Sequence, residues 1–312
     1  MPEIAKFGKE TMRNLLLILS FFLSLSAFGQ SIPDSLGFTD KAEARNKTMD
    51  GLKEGKWLEY YETHNQIPFD TSKAKLYRLC VYVDGNLYGK VWWYYKSGKL
   101  ESEDYYKNGK ENGLRKDYYE NGNIKMEDSI KDWERNGLCK KYRSNGKLEF
   151  TYFYINDRLR TLKEYDLDGQ TLMVETPYND HSNIVNVKNG VKKHYSKNGN
   201  VEEETPYTND TINGIAKEYY TSEKLKSEYQ YTKGKENGVA KEYYESGRIK
   251  NELKFVDDTI SSAVYYYENG KEIKNGILKD YWQNGKLESK TIIKNGKALA
   301  TKNYDENGNE IK

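Results

Sequence analysis

The residues best suited to chemistry are few and badly placed for it. The chain has two cysteines, Cys80 and Cys139, and three histidines, His64, His181 and His194. A structural zinc site needs four ligands, usually closely spaced Cys and His. These cysteines are 59 residues apart and the histidines are scattered, which excludes such a site. His181 and His194 read as surface histidines. Nucleophilic catalysis needs a Ser or Cys beside a base and an orienting group. No G-x-S-x-G occurs, and Ser97-Gly98 and Ser246-Gly247 read as turns. Paired carboxylates could cleave glycosidic bonds. However, Glu103, Glu127, Glu204, Glu228 and Glu252 recur at one position of a repeat, which marks a repeated surface feature. A P-loop and a dinucleotide fingerprint are absent. Asp166-Leu167-Asp168-Gly169 lacks the spaced acids of an EF-hand. The expectation is a non-catalytic chain with no metal site and no cofactor.

The elements that would position any site are copies of one unit. GLRKDYYENGNIKME from Gly113, GIAKEYYTSEKLKSE from Gly214, GVAKEYYESGRIKNE from Gly238 and GILKDYWQNGKLESK from Gly276 share the pattern G-[apolar]-x-K-x-Y-[Y]-x-x-G-x-[L/I/V]. Turn glycines mark the register at Gly98, Gly122, Gly146, Gly169, Gly199, Gly247, Gly270, Gly285 and Gly308, with Glu223 in the same slot. Most intervals are 23 or 24 residues, giving roughly ten copies. The tetrapeptide ETPY at Glu175 and again at Glu204 makes the longer interval near 170–199 an expanded repeat. Asn-Gly and Ser-Gly between strand-forming runs signal hairpins, because Gly accepts the positive φ of tight turns. Glycine at such short intervals would also break any helical period. The expected fold is all-β: an elongated, twisted, single-layer sheet of tandem hairpins.

Side chains alternate along a strand, so parity separates the two faces. Counting the first glycine of a copy as zero, position 1 is apolar and position 5 is nearly always Tyr. These odd positions are assigned to structure, as a ladder of Tyr94, Tyr118, Tyr142, Tyr195, Tyr219, Tyr243, Tyr266 and Tyr281 holding hairpin to hairpin. Lys at position 3 lays its stem along the rings. Position 6 is Tyr95, Tyr119, Tyr220, Tyr244, Tyr267 or Trp282 in two patches, interrupted by Arg143, Asp166 and Ser196. Its neighbours on that face are charged, and a half-aromatic, half-charged surface suits binding. Position 6 is therefore the expected interaction face, although the same rings could simply cover the sheet.

Composition agrees with a thin ordered β structure. Charged residues make up 31% of the 312 residues and the mean hydropathy is −0.98, yet there are 29 Tyr and only 5 Pro. Fifty Lys and Arg nearly cancel 48 Asp and Glu, and the signs are interleaved. A nucleic-acid partner is therefore not expected.

Leu15 to Phe28 is an almost continuous apolar run, preceded by Lys6, Lys9 and Arg13 and ending in Ala27-Phe28-Gly29. It is shorter than the ~20 residues of a bilayer span. This is the layout of a secretory signal peptide, residues 1–29, cleaved between Gly29 and Gln30. Met12 is an alternative start. The expected organisation continues with an N-terminal segment, 30–50, and the repeat domain, 51–312. The mature chain is expected outside the cytoplasm, in the periplasm, on the surface or in the medium, with no transmembrane span. A disulfide is allowed in that compartment. Cys80 and Cys139 nevertheless read as two separate, partly buried thiols.

The pattern G-x-x-K-x-Y-Y-x-x-G-K-L, repeating at 23–24 residues over about 51–312, resembles the MORN-variant repeat. Tandem copies occur in bacterial proteins labelled YwqK-family antitoxins. The resemblance implies an open sheet of successive hairpins used for protein–protein contact, and the label implies sequestration of a partner toxin. An exported chain would not meet a cytosolic toxin, which sets that role behind a general protein-interaction role. A glycan of the cell envelope is the alternative partner, since Tyr and Trp rings stack on sugars. Tyr165-Asp166-Leu167-Asp168-Gly169 and Tyr304-Asp305-Glu306-Asn307-Gly308 also resemble the YD repeats of large secreted shells.

Overall fold

The computed structural model of the chain describes residues 37–181, 184–282 and 284–311. The signal segment, with Gly29 and Gln30, lies outside the described residues. The described chain is all-β apart from two 3₁₀ turns, Lys41–Glu43 and Thr71–Lys73. It forms open antiparallel sheets of consecutive hairpins and divides into two compact units, the first ending at Asn136 and the second beginning at Gly137.

The first unit contains β1 (Lys47–Met49), β2 (Leu52–Tyr61), β3 (Leu76–Val83), β4 (Asn86–Tyr95), β5 (Leu100–Lys107), β6 (Lys110–Glu111), β7 (Gly113–Tyr118), β8 (Ile124–Lys131) and β9 (Glu134–Arg135). Strands β1 to β5 pair in chain order, and β5 then pairs both β6 and β7. This is the thickest part of the molecule, because both faces of β2–β4 are covered. One face buries Tyr61, Leu76, Cys80, Tyr82, Val91, Trp93 and Tyr106. The other buries Tyr77, Leu79 and Val81 beneath Phe38, which arrives from the segment ahead of β1.

In the second unit an antiparallel sheet runs from Gly137–Tyr142 to Thr259–Tyr265. The expanded repeat is a long strand, Leu172–His181, that pairs with Ile184–Lys188 near one end and with Gly190–Tyr195 near the other. A four-stranded sheet follows, built from Asn275–Tyr281, Leu287–Lys294, Lys297–Tyr304 and Glu310–Ile311. Ile273, Leu278 and Ile293 form its core, with Tyr244 and Tyr265 packed against them.

Two turn types explain the period. At Tyr119–Asn123 the Gly122 amide donates to the Tyr119 carbonyl and the Tyr119 amide to the Asn123 carbonyl, both at 2.8 Å, with Gly122 at φ +87°. This is a type I turn closed by a left-handed residue. The return turn has two residues, both at positive φ, as at Asn108-Gly109 and Asp132-Trp133. That is the type I′ geometry whose twist matches the flanking strands. A bulge then starts the next copy: Gly238 sits at φ +124°, and a Cβ there would lie 2.2 Å from the Gln230 side chain.

Burial reverses the parity assignment of the faces. The buried side chains are Val91, Cys139, Ala240 and Leu278 at position 2, and Tyr106, Tyr154, Phe255 and Ile293 at position 17, the cross-strand partner of the glycine at position 0. Position 1, expected to be structural, is exposed at Leu114, Leu138, Val191, Ile215, Val239 and Ile277. The glycine at position 0, opposite position 17, leaves room for the ring or Ile there to pack beside position 2, so the close-packed layer forms on that side. Cys80 and Cys139 are buried on this side and are not joined in a disulfide.

Candidate interaction face

Between residues 190 and 256 the exposed face carries three rows, because six neighbouring strands present the same positions in register. Consecutive strands here pair antiparallel, Gly190–Tyr195 with Val201–Thr208, then Gly214–Tyr219, Leu225–Thr232, Gly238–Tyr243 and Ile249–Val256. The first row is apolar on alternate strands: Val191, Ile215 and Val239 are 43%, 52% and 47% exposed, and their cross-strand partners are Pro206, Gln230 and Lys254. The second is charged and alternates without a break through Lys193, Glu204, Lys217, Glu228, Lys241 and Glu252, each the cross-strand partner of the next. Lys193 meets Glu204 at 3.1 Å and Lys241 meets Glu252 at 3.8 Å. The third row is Tyr195, Tyr219 and Tyr243. A shallow depression of about 470 Å³ lies beside Ile215 and Val239, with Glu228, Lys241 and Glu252 among its walls.

Five tyrosines at position 5 make hydrogen bonds from one hairpin to another through their hydroxyls. Tyr118 donates to Glu103 at 2.8 Å, Tyr219 to Glu204 at 2.9 Å and Tyr243 to Glu228 at 2.8 Å, in each case to position 14 of the preceding copy. Tyr195 reaches Glu175 at 3.2 Å and Tyr266 reaches Glu252 at 3.4 Å. Four of the five recurring glutamates, Glu103, Glu204, Glu228 and Glu252, are acceptors of this ladder. Burial, then the bond to Glu228, pushes the Tyr243 phenol up to about 12. Burial opposes ionisation of Glu204, but hydrogen bonds from Lys193 and Tyr219 outweigh it and hold the carboxyl below its usual range. Other ladder members take different places. Tyr94 stacks on Tyr77 with centroids 5.0 Å apart, and Tyr142 is half-buried. Tyr281, on the first strand of the four-stranded sheet, is 57% exposed.

Position 6 is committed to an inter-hairpin clasp. Tyr220 donates to the Tyr243 carbonyl at 2.6 Å, Tyr244 to the Tyr266 carbonyl at 2.8 Å and Trp282 Nε1 to the Tyr304 carbonyl at 3.0 Å. Arg143, which interrupts the aromatic series, makes the same contact: it donates to the carbonyls of Tyr165 at 3.0 Å and Asp166 at 2.8 Å. Where the clasp forms it uses a long side chain with a terminal donor, and three chemically different residues supply it, whereas Asp166 and Ser196 at the same position accept from backbone amides of their own turns. Tyr95 packs against the core of the first unit, Tyr119 is half-buried and Tyr267 is partly exposed. The free apolar surface is therefore at position 1, which parity had assigned to structure. The recurrence of a ring or Ile at position 17, opposite the glycine at position 0, was the signal that could have shown it.

The first unit holds a buried charge cluster that the sequence reading missed. Glu59 accepts from Arg78 Nε at 2.6 Å and from Lys53, and the hydroxyls of Tyr61 and Tyr82 lie 3.3 Å from it. Further along, Asp104 is buried with Arg115 at 3.7 Å, and burial raises its carboxyl to about 7. Among the described residues, no group of three or more His, Cys, Asp or Glu could hold a metal ion.

A hairpin with these turns and this ladder has a counterpart among known repeats. Seven segments match the MORN repeat variant. They are residues 87–108, 111–132, 135–156, 188–209, 212–233, 236–257 and 274–295. Each matched segment ends on the first residue of a return turn, at Asn108, Asp132, Asn156, Asn209, Lys233, Asp257 and Asn295, so the matched unit is one hairpin. The expanded repeat falls in the gap between the third and fourth matches. No curated protein matches the chain. Among solved structures, the chain is similar to one titled TcdB2-TccC3, at 11% identity and a TM-score of 0.21, covering 76% of this chain and 15% of that one. It is similar to TcdB2-TccC3-Cdc42 at 11% identity, a TM-score of 0.20 and the same coverages. The chain thus spans a small fraction of the structures it matches.

Proposed function

We propose that this is an exported, non-catalytic MORN-variant protein that binds another protein through the face bearing position 1. The observation that carries this reading is the recurrence of an exposed apolar residue, Val191, Ile215 and Val239, on every second strand, with Pro206, Gln230 and Lys254 as their cross-strand partners, beside charges that already neutralise one another. Apolar residues exposed at a regular interval on an ordered sheet mark an interaction surface. The paired Lys and Glu neighbours keep long-range attraction weak, so recognition relies on shape and apolar contact. MORN repeats are in general binding modules, and the first 29 residues have the layout of an export signal.

Crosslinking followed by recovery of the tagged full chain from the envelope fraction tests the reading. One stoichiometric protein partner is the expected result. Recovery of polysaccharide alone, or retention on a glycan array without a protein partner, would replace it with glycan binding. Amino-terminal sequencing of the exported chain should begin at Gln30.

A further inference from the structure

We infer that the apolar row, with the tyrosine row beside it, is a track for an uncharged extended peptide in the polyproline II conformation, carrying an apolar residue at every third position. This rests on the protein-binding reading above and names the partner's chemistry.

Spacing decides among the regular peptide conformations. Val191, Ile215 and Val239 stand on every second strand of a hydrogen-bonded series. Strands lie about 4.8 Å apart, so successive members of the row are about 9.6 Å apart. A polyproline II helix turns once in three residues, about 9.3 Å. One of its edges therefore meets every rung with an error of about 0.3 Å. An α-helix offers a matching residue every seventh position, about 10.5 Å, and is out of step by about 2 Å after two rungs. A β-strand repeats the same face at about 6.7 Å and 13 Å and fits neither.

The chemistry of the rows agrees. With three residues per turn, one edge of the peptide lies on the Val and Ile row and a second on the row of Tyr195, Tyr219 and Tyr243. Aromatic-lined grooves suit this conformation, whose ordering entropy is largely prepaid. The Lys and Glu row between them alternates in sign and presents no net charge. An uncharged ligand loses nothing there, and its free carbonyls have lysine ammonium donors within the row.

The first unit shows this face accepting an extended segment. Residues 37–40 belong to no strand. Phe38 from this segment is buried on Tyr77, Leu79 and Val81, and Gly37 lies so close to Trp92 that a Cβ would come within 2.2 Å of its ring. Trp92 and Tyr94 occupy positions 3 and 5, on the same face as the open rows.

Fluorescence anisotropy on the full chain with three synthetic peptides tests the track. One repeats Leu-Pro-Pro, one repeats Leu-Pro-Pro-Pro, and one is an alanine-based helix with Leu at every seventh residue. The Leu-Pro-Pro peptide should bind at least tenfold more tightly than the others. The double substitution Ile215→Thr and Val239→Thr should weaken it at least tenfold. Thr is β-branched and keeps the strand, which circular dichroism and the melting temperature verify. Equal binding of the four-residue register, tighter binding of the helix, or unchanged binding by the double variant would overturn the inference. The two readings fail separately: a protein partner captured equally by wild type and the double variant removes the track but leaves the interaction role. Peptide binding with no partner in the envelope does the reverse.

Discussion

The Tyr243 hydroxyl donates to the Glu228 carboxylate at 2.8 Å, joining one hairpin to the one before it. The same two positions are joined at Tyr219 and Glu204 and at Tyr118 and Glu103. Tyr243→Phe removes the donor and keeps the ring, so it should cost about 1 kcal/mol. Glu228→Gln leaves an acceptor and should cost less. Urea unfolding of the variants checks the order.

The same contact predicts alkaline weakening. Burial and the bond to Glu228 favour the protonated phenol, whose folded value of about 12 lies above the ordinary value of 10.0. The folded state then holds more protons than the unfolded one between pH 10 and 12. The contribution is complete below pH 10 and is lost as the pH rises towards 12. In Tyr243→Phe the decline of the melting temperature across that window should be shallower than in wild type.

The position 6 clasp predicts which substitutions are tolerated. Tyr220→Phe loses the bond to the Tyr243 carbonyl and should destabilise by about 1 kcal/mol. Tyr220→Arg should recover part of that loss, because Arg143 makes the equivalent bond naturally. Thermal melts of the two variants give the comparison.

Glu223 occupies the turn slot that glycine fills in nine other copies, and it sits at φ +65°. A side chain in the left-handed region costs roughly 1–2 kcal/mol, offset in part by the greater unfolded entropy of glycine. Glu223→Gly should therefore stabilise by up to about 1 kcal/mol. Gly247→Glu, at φ +85° with nothing within 4 Å of an added Cβ, should destabilise by a similar amount.

Asp104 gives a pH dependence of the same sign in a lower window. Burial raises its carboxyl to about 7, only partly offset by Arg115. Folding therefore favours the protonated acid, and its cost is absent below about pH 4, grows to pH 7 and stays constant above. Asp104→Asn should be close to neutral at pH 4 and stabilising at pH 8. Chemical denaturation at the two pH values measures the difference.

The hairpins, the period, the turn glycines and the expanded repeat were legible because each follows from local chemistry: a positive φ demands glycine or asparagine, and strand formers fill the intervals. Which face is buried was not legible from position 1 and position 5 alone. Both carry apolar atoms, and burial is decided by what stands opposite, as where Ala240 faces inward while Val239 is left to solvent. The clasp was hidden for a related reason, since Tyr220, Arg143 and Trp282 look dissimilar until their donors are seen reaching the same carbonyl. Glu59 and Arg78 come together from strands 19 residues apart, a pairing that no local pattern announces.

The copy from Gly214 joins the one before it through the phenol of Tyr219 and the one after it through the clasp of Tyr220, so it is a repeatable module. Duplicating that copy would reproduce the same joints. Such a chain can be lengthened or shortened by recombination in increments of about 9.6 Å, like a ruler whose graduations are set by the backbone itself.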